Sequence, residues 1–162
     1  MEVDKLICNI IQNELGTPAG RIMVKIQNWV PPSDNSYYIT VGIRSQKIVS
    51  STNKFVPSTE DKEEKSVLTY TTLDINITSK NREAIERKEE IVMALTSTYS
   101  QQQQELYNMK IFRTSDILDL SFIEASSGLN RFRISCIVSS IREKQTSIDY
   151  YDKFKHEEVI EQ

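Results

Sequence analysis

Residues 66–99 read SVLTYTTLDINITSKNREAIERKEEIVMALTSTY, and the fold turns on how this stretch changes its period midway. From Ser66 to Thr78 the apolar residues Val67, Leu73, Ile75 and Ile77, with Thr69 and Thr71 between them, keep a two-residue alternation. That is the pattern of a strand with one buried face, and its length predicts a central one. From Asn81 to Tyr107 the spacing becomes helical. Ala84, Ile85, Ile91, Val92, Leu95 and Tyr99 fall on one face, and Arg82, Glu83, Glu86, Arg87, Glu89 and Glu90 decorate the rest, many at distances that pair opposite charges. Ser79 or Asn81 can cap the start of this long helix. Gln101 to Gln104 are adequate helix formers and extend its polar end.

Upstream, Leu6, Ile7, Ile10, Ile11 and Leu15 predict a short amphipathic helix over Asp4–Leu15, stopped by Gly16 and Pro18. Ile22, Val24 and Ile26 then alternate with polar or flexible neighbours until Pro31-Pro32, whose missing amide hydrogens end any strand. Tyr37, Ile39, Val41 and Ile43 predict a second strand, expected to pair antiparallel with the first. Ser50 to Lys65, with Pro57 and the charged run Glu60 to Lys65, is expected to be a long connection. It reads either as a solvated loop tip or as an arm that orders against a neighbouring subunit, and the apolar pair Phe55-Val56 supports the second.

Downstream, Met109–Phe112 predicts a short strand and Arg113–Gly128 a loop region. In the last strand Phe132, Ile134, Cys136 and Val138 share one face, with Arg131, Arg133, Ser135 and Ser139 largely on the other. Tyr150, Tyr151 and Phe154 are expected to pack back on the body, and Lys155–Gln162 to form a polar tail. The element order implies an α+β fold: a mainly antiparallel sheet covered on one face by a long and a short helix. We expect a single domain over 1–154, interrupted by the connection at 50–65, and the tail at 155–162.

A length of 162 residues with 38% hydrophobic content is enough for one core and too little for two. Twenty Lys and Arg stand against 23 Asp and Glu, interspersed rather than gathered into a stripe, so the chain lacks the clustered charge with which phosphates are neutralised. Cys8 and Cys136 are far apart and lie among apolar residues, the setting of two reduced core thiols rather than a zinc grip. Glu2 and Asp4 stand where a secretion signal would carry positive charge, and no run approaches the roughly 20 apolar residues of a membrane span. Without a signal, the sequon Asn76-Ile77-Thr78 reads as a chance match.

The sequence offers no catalytic residue, no cofactor site and no metal site. Its one histidine, His156, lies in the polar tail beside Glu157 and Glu158. The Gly-rich phosphate loop, the nucleophile elbow and the His-Glu-x-x-His motif are all missing. Asp116 with Asp119, and Glu89 with Glu90, read as turn caps and a charged helix face. What remains are candidate subunit contacts: Trp29, a residue type that carries binding energy when buried between proteins, with Phe55, Val56, Arg131 and Arg133.

Certain residues suggest a family. Ile22 to Trp29, Pro31-Pro32 and Tyr37 to Ile43 follow an N-terminal helix, and Leu73-Asp74-Ile75-Asn76-Ile77 leads into the helix bearing Glu89 to Tyr99. Ile117-Leu118-Asp119-Leu120-Ser121, Leu129-Asn130-Arg131-Phe132-Arg133-Ile134 and Asp149-Tyr150-Tyr151-Asp152-Lys153-Phe154 come after it. This pattern, over roughly Arg21 to Phe154, resembles the tail-terminator and neck (head-tail joining) proteins of tailed phages. The glycine usual in that family after the third strand is replaced by Ser79-Lys80-Asn81.

The resemblance implies a non-enzymatic virion protein, made in the host cytoplasm and placed in the tail or neck. It would form a homo-oligomeric ring, typically hexameric, that caps the tail tube and joins it to the head connector or stopper. A tail sheath is a further candidate partner, and DNA would pass through the lumen unread, a role that a slightly acidic subunit suits. Other phage rings (stopper, adaptor or baseplate) and a nucleic-acid-binding module are the alternatives.

Overall fold

A computed structural model describes residues 1–18, 20–25, 30–56, 62–122 and 128–147. The elements run α1 (Val3–Leu15), β1 (Ile22–Val24), β2 (Tyr38–Val56), β3 (Lys62–Ser79), α2 (Glu83–Thr96), α3 (Thr98–Leu106), β4 (Met109–Thr114), β5 (Leu118–Asp119) and β6 (Asn130–Ser147). The fold is α+β, with a mixed six-stranded sheet in the order β1-β2-β3-β6-β4 and β5 paired to β6.

β3 forms the centre of the sheet. β3 pairs antiparallel with β2 along one side and with β6 along the other. Its residues Leu73, Ile75 and Ile77 are fully buried, alongside Ile39 and Val41 of β2 and Ile134 and Val138 of β6. Onto this face pack Val3, Ile7 and Ile11 of α1 and Ala84, Ile91 and Leu95 of α2. Because helices repeat every 3.6 residues and strands every two, each element commits one side to this core. α1 ends as its sequence requires: Gly16 adopts φ 60°, a left-handed cap, and its amide hydrogen bonds the Gln12 carbonyl.

Three expectations are corrected. β1 pairs parallel with β2, not antiparallel: Ile22, Met23 and Val24 lie beside Ile39, Thr40 and Val41. Parallel pairing needs a connection that returns the chain to its starting end, and residues 25–37, with Pro31-Pro32, are long enough to do this where a tight hairpin is not.

The long helix is two helices. Ser97 is extended (φ −67°, ψ 163°), and its hydroxyl accepts from the Ser100 amide at 3.0 Å, capping α3. Just before it, the Thr96 hydroxyl donates back to the Val92 and Met93 carbonyls. Such hydroxyls compete for backbone groups and favour a helix end over its continuation. The sheet is therefore accompanied by three helices, not by one long and one short.

Finally, the connection expected at 50–65 is mostly strand. β2 and β3 stay paired out to Val56 opposite Lys62, and β6 accompanies β3 out to Ser147. Residues 44–54 are exposed, so among the described residues nothing buries one face of this part, and no apolar period marks it in the sequence. Tyr150, Tyr151, Phe154, His156 and the 155–162 tail lie outside the described residues.

Candidate functional site

Two surfaces distinguish the molecule: the sheet face away from the helices, and the part of the sheet that runs past the core. Strand alternation builds the first. With Leu73, Ile75 and Ile77 turned to the core, Thr72, Asp74, Asn76 and Thr78 of β3 lie on the other face, as do Arg131, Arg133, Ser135 and Ile137 of β6, although Asn76 and Thr78 are themselves buried there.

Asp74 organises the middle of this open face. Arg44 donates to it through Nε at 2.9 Å and lies 2.8 Å away through Nη2, a bidentate fork. The Ser135 hydroxyl donates to the same carboxylate at 2.7 Å. Arg133 Nε lies 3.9 Å from it and donates to the Asn76 side-chain oxygen at 3.3 Å. Gly42 belongs to the same face; a Cβ there would meet the Lys25 side chain at 3.2 Å, so the glycine leaves room for the lysine stem to cross β2.

Further out the open face turns apolar. Tyr70 of β3 and Phe112 of β4 have ring centroids 5.1 Å apart with planes tilted by 59°, both substantially exposed. Leu68 and Ile141 follow as register partners. They border an open groove of about 860 Å³ whose other wall includes Gln101, Gln104 and Glu105 of α3.

The second surface is a three-stranded ribbon. Thr69 and Ser140 form the last buried rung, tied by their hydroxyls at 2.9 Å. From there β3 continues back to Lys62 between β2 and β6, about 23 Å at strand rise. Ile48 and Val49 stand 66% and 43% exposed on it. Local side-chain bonds, such as Thr52 to Ser66 at 2.7 Å, tie strand to strand. β1 covers β2 only at Ile39–Val41, and β4 covers β6 only at Cys136–Ser140. Among the described residues, both ribbon edges are therefore open.

The candidate contacts read from sequence do not form one site. Arg131 and Arg133 stand on the open face, while Phe132 between them is 4% exposed and turns inward beneath the Lys88 ammonium, 4.6 Å from the ring centroid. Phe55 and Val56 lie at the far end of β2, opposite Glu63 and Lys62, with their side chains outside what is described. Thirteen rungs of β3, from the Asn76 partner of Arg133 to the Glu63 partner of Phe55, separate the two groups, about 43 Å. Trp29 lies outside the described residues. Sequence reasoning missed Arg44, Asp74, Tyr70 and Phe112. The signal was present: Leu68 and Tyr70 share the parity of Asp74 and oppose that of Leu73.

Both thiols are pushed up to about 12, chiefly by burial, with Asp4 near Cys8 and Asp74 near Cys136 adding to it. Neither is poised as a nucleophile at neutral pH. Among the described residues, no three His, Cys, Asp or Glu are grouped so as to hold a metal ion, and no helix is long and apolar enough to cross a membrane. The sequence matches no protein-family model and no curated protein.

Proposed function

We propose that this chain is a structural, non-catalytic subunit of a phage ring, a tail terminator or neck protein. It would cap the tail tube and join it to the head connector, with DNA passing through the lumen. The observation that carries the reading is the ribbon. The body has its own buried core, yet among the described residues three strands leave it with both faces and both edges open. Strands without a buried face are marginal alone, and open edges invite pairing, so the design fits a part that is finished only in an assembly. The family resemblance supplies the context: a virion location, a ring of about six copies, and tail tube, connector or sheath as neighbours.

The test is assembly with the tail tube protein, followed by light scattering and electron microscopy. Discrete rings at tube ends are expected; a chain that stays monomeric in the presence of tubes sinks the proposal. A ring of the same size found instead at a baseplate or stopper position would move the subunit within the virion.

The open face favours a second reading. By strand parity Arg44, Lys47, Lys54, Lys110, Arg131 and Arg133 stand on it against Asp74, Glu64 and Glu143, a local surplus of cations in a chain of net charge −3. With Tyr70 and Phe112 this is the composition of a single-strand platform. Against it, Arg44 and Arg133 are engaged with Asp74 and Asn76, and the two rings pack on each other. A gel shift persisting at physiological salt, and lost in R131A/R133A, would favour this reading over the ring.

A further inference from the structure

The ring reading leaves open how copies join, and the polarity of the ribbon supplies an answer. β2 and β6 both pair antiparallel with β3, so they run parallel to each other and both lead outward from the body. β6 becomes free six rungs of β3 further out than β2, at Ile141 opposite Leu68 against Gly42 opposite Asp74, so the stretches free at a common level are Ser50–Val56 on β2 and Ile141–Ser147 on β6. The two edges of one ribbon are thus different strands with the same direction.

Like-with-like pairing of two copies would be antiparallel. It would point the ribbons in opposite directions and, for β2 on β2, bring Lys47 and Lys54 of both copies to one seam. Residues 44–56 contain no acidic side chain to offset them. β2 laid beside β6 of the next copy is parallel, keeps all ribbons pointing one way, and sets Lys47 and Lys54 on the sheet face that carries Glu143. Repeating that step turns each copy by the same angle, and a head-to-tail contact that turns closes into a ring.

We propose that copies of this chain join through parallel pairing of the β2 edge, from Ser50 to Val56, with the β6 edge, from Ile141 to Ser147, of the next copy, so that the ribbons close into one continuous β-barrel. This rests on the ring reading and adds its seam. Six copies would supply about eighteen strands, in the range that leaves an open channel. At about 4.8 Å between strands and a tilt of about 40°, the backbone radius is about 18 Å, and side chains on the inner face leave a bore about 25 Å wide. Closure leaves no ribbon edge exposed.

The test is cross-linking of full-length chains carrying Cys8→Ser, which leaves buried Cys136 as the only native thiol. Ser51→Cys marks β2; Arg142→Cys, Lys144→Cys or Thr146→Cys marks the same sheet face of β6. Circular dichroism checks that each variant folds. Each chain with one introduced cysteine, treated with a short bismaleimide, should stay monomeric on a denaturing gel. A mixture of a β2-marked and a β6-marked chain should give covalent dimers, and a doubly marked chain a ladder ending at the ring number.

Dimers from the Ser51→Cys chain alone would overturn the proposal in favour of like-with-like pairing. Rings by light scattering without mixed cross-links at any of the three β6 positions would overturn the seam and spare the ring. Monomers by light scattering with no cross-links would remove both.

Discussion

Replacing Asp74 with Asn keeps the shape of the side chain and removes the charge that two arginines face. Asp74 is only 18% exposed at its side chain, whereas Arg44 is 48% exposed. A charge-assisted hydrogen bond contributes about 1.5–3 kcal/mol. Solvent at Arg44 brings the fork toward the lower end, and the Ser135 bond adds about 1 kcal/mol. Asn would also turn one amide nitrogen toward a donor. The expected loss is about 2 kcal/mol, or a melting point about 4–8 °C lower for a domain of this size.

Thermal unfolding followed by circular dichroism, at one fixed protein concentration so that assembly does not shift the midpoint, measures it. A cycle with Arg44→Met and the double variant should give a coupling of about 1 kcal/mol. If D74N melts within about 1 °C of the parent, the carboxylate does not organise this face.

Ile75, fully buried at the centre of β3, should cost about 2–5 kcal/mol when cut to Ala, read from urea midpoints. Ser97→Ala removes the cap of α3 and should cost about 1 kcal/mol; no change in the same titration would remove the cap from the account of the helix break. At pH 8 the two thiols, held near 12 against an ordinary 9.0, should react with a chromogenic disulfide on the order of a thousandfold more slowly than free cysteine, and at once in urea. The folded protein then keeps thiol protons that the unfolded chain releases. Stability should accordingly be full below pH 9 and fall between there and about 12; a flat profile across that window contradicts the burial of both groups.

What the sequence disclosed follows from what the core pays attention to. Leu73, Ile75 and Ile77 must alternate because one side of β3 is dry, and Leu6, Ile7, Ile10 and Ile11 must follow helical spacing because α1 lies on that side; both periods were visible. The parallel sense of β1 was not, because three residues pair alike in either direction and the connection alone decides. The break at Ser97 was hidden by flanking residues that suit a helix, with only hydroxyl groups to mark it. The ribbon was invisible for a different reason. Its residues answer to no interior of this chain, so they carry turn-like composition, Ser50-Ser51-Thr52-Asn53, while lying in extended pairs. The candidate contacts suffered in the same way: Arg131 and Arg133 were legible by strand parity, but their neighbours Arg44 and Asp74 come from strands distant in sequence.

The order of the ribbon strands along the chain also bears on synthesis. The β2–β3 hairpin emerges from the ribosome well before β6, the strand that flanks β3 on its other side. For that interval β3 presents a second bare edge, the geometry from which aggregates seed. Lys47, Lys54, Glu64 and Lys65, spaced along this hairpin, act as gatekeepers there. Charges spaced along a bare strand edge oppose its pairing with the same edge of another nascent chain.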